Sequence, residues 1–277
     1  MWLMKKKGFR VELRGIQIQT IDFCNRSCDF CPNRDGLRKT GELMEQRTLE
    51  AILDQLAAMK YHGRISPYLM NEPLLDERIF DVIARIRERF PDNIIFINTN
   101  GDRLLADDVR TRLVQSTIDG VHVNVYGDRK EYEQKERILR DLAEQDEHVL
   151  LRQSVNLHRM PERNGKVNFK LRWMAEAPMR FWNRAGNISG VAPAGHEAKR
   201  HRCRLPFRQM YINYRGDAVL CCSDWKFEVI MGNVHEHTLE EIWNNKIYQK
   251  YRTMHERRRG KEMPLCCSCN RIRPRRG

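Results

Sequence analysis

Cys24-Asn25-Arg26-Ser27-Cys28-Asp29-Phe30-Cys31-Pro32 carries three thiols at C-x3-C-x2-C spacing. Thiolates so spaced can take three corners of a four-iron cube that ordinarily has four protein ligands. An iron without a cysteine keeps open coordination sites, where a small chelating molecule can bind and be cleaved by an electron passed through the cluster. A zinc knuckle borrowing a distant ligand, or three structural cysteines, also fit the count, although zinc motifs usually come as C-x2–4-C pairs. Immediately upstream, Gly15 to Ile21 alternates apolar and polar residues as a strand does, so the cysteine loop leaves a strand's C-terminal end.

Beyond the loop the pattern alternates. Arg34 to Leu43, with two glycines and many charges, reads as a long exposed loop, and Leu49, Ile52, Leu53, Leu56 and Met59 then form one helical stripe. Ile65 to Met70 reads as a strand, Ile79 to Phe90 as a helix, Ile94 to Ile97 as a strand, and a further helix begins near Ala106. Val121 to Tyr126, a charged helix from Glu131 to Leu142, and strands at Val149 to Asn156 and Phe169 to Trp173 continue the series. Strands separated by helices imply a parallel sheet with right-handed crossovers. About six units are too few for a closed eight-stranded barrel, so the expected fold is α/β, a partial (β/α)6 TIM-like barrel. Chemistry in barrels sits at the C-terminal ends of the strands, where the cysteine loop lies. The Gly/Ala/Pro-rich connector 175–195 divides the chain into domains at 1–195 and 196–277.

With 277 residues and 41% apolar content the chain can bury a full core. The N-terminal Met1-Trp-Leu-Met-Lys-Lys-Lys is no signal peptide, and no window spans a bilayer, so a cytoplasmic protein without a membrane partner is expected. Nine cysteines in a reducing compartment argue for metal ligands over disulfides. The net charge of +13 is concentrated at the end, where residues 250–277 hold ten Lys or Arg against two acids. That run can attract phosphate, RNA or an anionic substrate, but it lacks interleaved aromatics, and a solvated surface helix with a frayed terminus is the preferred reading; nucleic acid is not the expected partner.

The cysteine spacing, Phe30 just before the last cysteine and the preceding strand together resemble the radical S-adenosylmethionine (radical SAM) superfamily. Met70-Asn71-Glu72-Pro73 resembles that family's GGE motif, which offers backbone carbonyls to the methionine ammonium, with Asn71 where glycine is commoner. Asn98-Thr-Asn100-Gly101-Asp102 resembles its TNG turn near the ribose; alone it reads equally as an Asn-Gly turn. His122, Asn124 and Tyr126 share one strand face, as do Arg152, Ser154 and Asn156. Polar faces pointing into a barrel are costly unless they line a wet or occupied cavity, the alternative being solvent across an open side. The candidate cofactor-binding residues are therefore Phe30, Asn71, Glu72, Pro73, Asn98, Asn100, Asn124 and Asn156. Tyr126, Arg152 and Cys222 are the catalytic candidates.

Downstream, Tyr211 to Tyr214 and Ala218 to Cys221 flank Arg215-Gly216-Asp217 as a hairpin, and Thr238-Leu-Glu-Glu241 reads as a capping box. Cys203, Cys221, Cys266 and Cys269 can close a cluster completely, and the spacing also admits a zinc site. The order C-x12-G-x4-C, a long gap and C-x2-C resembles the shortened SPASM appendage called Twitch, which holds one auxiliary 4Fe–4S cluster. The resemblance implies S-adenosyl-L-methionine, two 4Fe–4S clusters on Cys24, Cys28 and Cys31 and on the four later cysteines, a small-molecule substrate, and an external electron donor such as flavodoxin or ferredoxin. It further implies a 5′-deoxyadenosyl radical that oxidises a secondary alcohol of an aminocyclitol or sugar to a ketone. A radical epimerase or peptide-modifying enzyme using Cys222 as hydrogen donor stands beside that reading, and a small buried hydrophobe is the plain role for Cys222 and Cys267.

Overall fold

The structure, a computed structural model, describes residues 11–152, 163–174, 183–188 and 203–269. The N-terminal half runs β1 (Gly15–Ile18), β2 (Ile21–Phe23), β3 (Lys39–Leu43), α1 (Gln46–Ala58), β4 (Arg64–Ser66), α2 (Ile79–Arg89), β5 (Phe96–Thr99), α3 (Asp107–Gln115), β6 (Gly120–Val125) and α4 (Arg129–Gln145). The chain continues through β7 (Val149–Leu151), β8 (Val167–Trp173), β9 (Gln209–Ile212), β10 (Asp217–Val219), β11 (Ile230–Asn233), α5 (Leu239–Asn244) and α6 (Lys246–Glu256).

The helices form where the apolar stripe predicts them. Leu49, Ile52, Leu53 and Leu56 of α1 and Ile79, Val82, Ile83 and Ile86 of α2 are buried against the sheet, while charges occupy the outer faces. Val121, Val123 and Val125 of β6 are buried in the same core, so His122 and Asn124 face the other way. α4 looks solvated by composition, yet Lys135 on it is 1% exposed.

The parallel strands lie in the order β1, β4, β5, β6, β8, β7; β4 and β5 are joined by the single bridge Ile65↔Ile95. The α/β architecture is the expected one, but the last two strands exchange places. β8 pairs with β6 from Gly120↔Asn168 to Val125↔Trp173 and is mostly buried, whereas β7 has three residues and takes the edge. A long, apolar strand gains more from neighbours on both sides than a short one does. Arg152 follows β7 and is exposed at that edge, so it does not share an inner face with Tyr126; Ser154 and Asn156 lie outside the described residues. The inner positions beside His122 and Asn124 belong instead to Lys170 and Arg172 of β8.

The stretch expected as a loop at 34–43 is half strand. β3 pairs antiparallel with β2, forming a two-stranded ribbon that frames the cysteine loop. The later hairpin also joins the barrel: β9 runs parallel to β1 from Gly15↔Gln209 to Ile18↔Ile212, giving one sheet β11-β10-β9-β1-β4. The expected boundary at residue 195 lies outside the described residues. Thr238 and Glu241 form the expected capping box on α5.

Arg38, 5% exposed at the ribbon's end, bridges the halves. It pairs with Asp22 at 3.3 Å, stacks 4.2 Å from the Phe227 ring and donates to the Trp225 carbonyl. Replacing one partner of a buried pair strands the other, so Arg38→Met should cost about 3 kcal/mol. Urea denaturation reads this; an unchanged midpoint would mean that the bridge carries no stability.

Candidate functional site

The cysteine loop is pinned by backbone and amide contacts. Cys31 N–H donates to the Cys28 carbonyl at 2.9 Å, and Cys24 N–H to the Arg38 carbonyl at 3.2 Å. Asn33, 1% exposed, donates through Nδ2 to the Arg26 carbonyl at 2.8 Å and accepts from Arg38 N–H at 2.7 Å. These contacts hold the loop so that all three cysteines line one cavity.

A cavity of about 260 Å³ opens there. Cys24, Cys28, Cys31 and Phe30 line one side; Asn71 and Glu72 follow β4; Asn98, Thr99 and Asn100 end β5; Asn124 and Tyr126 end β6; Cys222 and Trp225 reach in from the C-terminal half. Phe30 and Tyr126 rings pack at 5.1 Å. Pro73 is buried in a short 3-10 turn and does not line the cavity, and neither does the exposed Arg152.

Several of these residues are committed to holding the walls. Glu72, 3% exposed, accepts from Thr99 Oγ1 at 2.6 Å, from Asn100 N–H at 2.7 Å and from Leu74 N–H at 3.2 Å. Burial pushes its carboxyl up to about 7, against these three hydrogen bonds. Asn98 donates to Tyr68 Oη at 2.9 Å, and Gln17 of β1 donates to the same oxygen at 2.9 Å. Asn100 donates to Asn25 Oδ1 at 2.9 Å, tying the β5 turn to the cysteine loop.

That tie is strengthened by charge. Asp102 accepts from Arg26 at 2.5 Å, Asn25 at 2.8 Å and Lys135 at 2.9 Å, and Glu131 pairs with Arg26 at 2.6 Å and Lys135 at 2.5 Å. Lys135 also donates to the Asn100 carbonyl at 2.9 Å. Gly101 is required at the turn: its φ is +77°, and a Cβ there would sit 2.6 Å from Val123 Cγ1.

The residues present suit the groups that the loop motif implies. Cys24 and Cys28 are each pushed up to about 11, chiefly by burial, with neighbouring thiols adding to the effect. Such thiols ionise readily only against a cationic centre. Asn71 Nδ2 and Trp225 Nε1 are buried at the cavity wall with no hydrogen-bond partner among the described residues, a cost that a polar ligand would remove.

A second thiol set lies behind the cavity. Cys221 is raised by burial and then by its neighbours Cys222, Cys266 and Cys203; Cys266 is raised by burial and then by Cys203 and Cys269. The thiols named as neighbours place Cys203, Cys221, Cys266 and Cys269 near one another, the ligand set that a fully ligated cluster would need, although among the described residues their side chains are not drawn together into a metal-holding group. His255 also meets this set, 3.6 Å from Cys266 Sγ, with burial pushing its imidazole down to about 4.

Gln17, Tyr68, Thr99, Arg184, Trp225 and His255 were absent from the sequence candidates. Gln17 was signalled by its polar place between Ile16 and Ile18, and Thr99 by the turn itself. Nothing local marks Arg184, which enters the cavity from a left-handed turn with φ of 45° at Arg184 and 58° at Ala185. Asn183 and Asn187 anchor that turn to the Ser268 and Ser223 carbonyls at 2.5 Å and 3.0 Å.

Residues 18–147 match the radical SAM superfamily, and residues 203–270 match the SPASM iron–sulfur cluster-binding domain. The S-adenosyl-L-methionine-dependent 2-deoxy-scyllo-inosamine dehydrogenase of Niallia circulans is 27% identical over 259 residues, covering 93% of this chain and 92% of its own. The crystal structure of BtrN in complex with AdoMet and 2-DOIA aligns with a TM-score of 0.72 at 22% identity, covering 95% of each chain. Native anSMEcpe with bound AdoMet aligns at 0.53 and 12% identity, over 86% of this chain and 82% of that one. Both structural likenesses concern the fold. Among the described residues no helix is long and apolar enough to cross a membrane.

Burial raises the Asp102 carboxyl, but hydrogen bonds from Arg26 and Lys135 outweigh it and hold the group at about 2, below its ordinary 3.8. A depressed carboxylate contributes stability above its unfolded value, lost as pH falls through the folded one. The metal-free chain should therefore lose this contribution between about pH 4 and pH 2, and Asp102→Asn should flatten that part of the Tm–pH curve. An identical acid limb in the variant would show that the network does not couple to folding.

Proposed function

We propose that the chain is a radical SAM enzyme carrying an auxiliary iron–sulfur domain, and that it oxidises a secondary alcohol of a polar small molecule, an aminocyclitol or sugar, to a ketone. The observation that carries this reading is the similarity to a dehydrogenase along 93% of the chain. When bound, SAM and the catalytic cluster supply a 5′-deoxyadenosyl radical for hydrogen abstraction, and the auxiliary cluster supplies an acceptor for the electron left once the hydroxyl proton departs.

The chain's own residues bind, orient and shield. Cys24, Cys28 and Cys31 would hold the catalytic cluster, and Cys203, Cys221, Cys266 and Cys269 the auxiliary one. Phe30, Asn71 and Asn124 would supply one aromatic face and two amides to SAM and its surroundings, while Asn98 and Asn100, whose amide N–H groups bind Tyr68 and Asn25, would shape the wall around it. The buried donors Asn71 Nδ2 and Trp225 Nε1 select for oxygen or nitrogen acceptors in the ligand. Burial raises the Tyr126 phenol, so its hydroxyl keeps the proton and could donate it in a hydrogen bond to a bound ligand. Lys170 and Arg172 extend the inner polar face beside His122 and Asn124, in keeping with a hydroxylated substrate. A one-electron donor of flavodoxin or ferredoxin type completes the cycle, and nine free thiols suit a reducing cytoplasm.

One observation favours a second reading, epimerisation: Cys222 lines the same cavity as the catalytic cysteines. Its S–H could return a hydrogen atom to the opposite face of the substrate radical, the thiyl left behind then taking one electron and one proton from the external donor. The two routes part at the product. Anaerobic turnover in heavy water with aminocyclitols and sugars should give a product two mass units lighter than substrate, undiminished in Cys222→Ala. An isobaric product carrying one deuterium, abolished by Cys222→Ala, would move the assignment to the epimerase.

The auxiliary cluster should also be separable. Cys266→Ala/Cys269→Ala should lose about four irons and substrate oxidation while retaining some SAM cleavage to 5′-deoxyadenosine. Oxidation at the normal rate would remove the electron-accepting role.

A further inference from the structure

α6 closes on His255, whose ring touches two separate cysteine segments. Cys203 N–H donates to Nδ1 at 3.5 Å, and Nε2 lies 3.6 Å from Cys266 Sγ. Because Nδ1 is an acceptor, the ring proton sits on Nε2, which makes that nitrogen a donor to the Cys266 sulfur. We infer that His255 is an outer hydrogen-bond donor to the auxiliary cluster and raises its reduction potential through Cys266. The inference rests on the assignment of that cluster to Cys203, Cys221, Cys266 and Cys269.

The surroundings fix the ring rather than merely accommodate it. Arg252 Nε donates to the Pro206 carbonyl at 2.8 Å and Tyr251 Oη to the Pro264 carbonyl at 3.3 Å, so the same helix face braces the segments after Cys203 and before Cys266. Gly260 leaves the space: a Cβ there would lie 2.6 Å from both Cε1 and Nδ1 of the ring. His255 itself is 5% exposed, so no water competes freely for the sulfur.

Hydrogen bonds to cluster sulfurs withdraw negative charge from the thiolate and favour the reduced state. A cluster that must accept an electron from a substrate radical gains from that bias. A residue present only to fill space needs neither a proton at Nε2 nor a partner at Nδ1.

The test is an EPR-monitored redox titration of the holoenzyme with and without SAM, together with iron counting. The signal that SAM leaves unchanged belongs to the auxiliary cluster, since SAM binds only at an open iron. His255→Leu and Gly260→Ala, the second of which displaces the ring without removing it, should each shift that midpoint to more negative potential with the full iron complement retained. His255→Gln, which keeps an N–H donor and an acceptor, should stay nearer the wild-type value. Unmoved midpoints in Leu and Ala variants that keep their iron would overturn the inference, and so would loss of four irons in all three, which would make His255 a packing residue. A wild-type enzyme without any SAM-insensitive signal would overturn the inference together with the cluster assignment beneath it.

Discussion

The parallel pairing of β1 with β9 is the constraint on which the two cysteine sets depend. β1 feeds the catalytic cysteine loop, and β9 begins the hairpin whose second strand delivers Cys221 and Cys222. Because the two strands share hydrogen bonds from Gly15↔Gln209 to Ile18↔Ile212, the sets are held in one rigid sheet. Cys222 and Trp225 thereby enter a cavity otherwise built from the N-terminal half and Arg184. A linker between two independent bodies could not hold a redox pair at constant separation; a continuous sheet can.

Around that sheet, charge does the fastening near the reaction site. Asp102, Glu131, Arg26 and Lys135 link the cysteine loop, the turn after β5 and α4 in one network, most of it screened from water. Arg38 does the same between the ribbon and the loop at residues 225–227. The first network reaches the cavity wall itself, through Arg26 and through the Asn100 amide bound to Asn25, and leaves Asn71 Nδ2 and Trp225 Nε1 without partners among the described residues.

Elements whose signal is local were legible in the sequence. The helical stripes of α1 and α2, the alternation of β6 and the capping box at Thr238 each depend on neighbours within a few residues, and each forms as read. β3 was hidden because all five of its residues are exposed and it pairs only with β2, so no apolar alternation betrays it. The strand predicted through Met70 ends at Ser66, where Pro67 can offer no ladder donor. The exchange of β7 and β8 is a matter of long-range pairing, which carries no local mark, and Arg152 was misplaced with it. At the site, the cysteine spacings and the Asn-rich turns were readable as motifs; Arg184, Tyr68 and Trp225 were not, because tertiary contacts alone bring them to the cavity.

The interior position of β1 also bears on how the molecule is made. A strand whose two sheet neighbours are residues 64–66 and 209–212 stays half unpaired until the ribosome has released most of the chain. Until then its exposed edge is a hazard for misassociation, and Arg38 lacks the carbonyl of Trp225 that caps it. The sheet that joins the two cysteine segments is therefore complete only late in synthesis, once residues 209–212 are free to pair with β1.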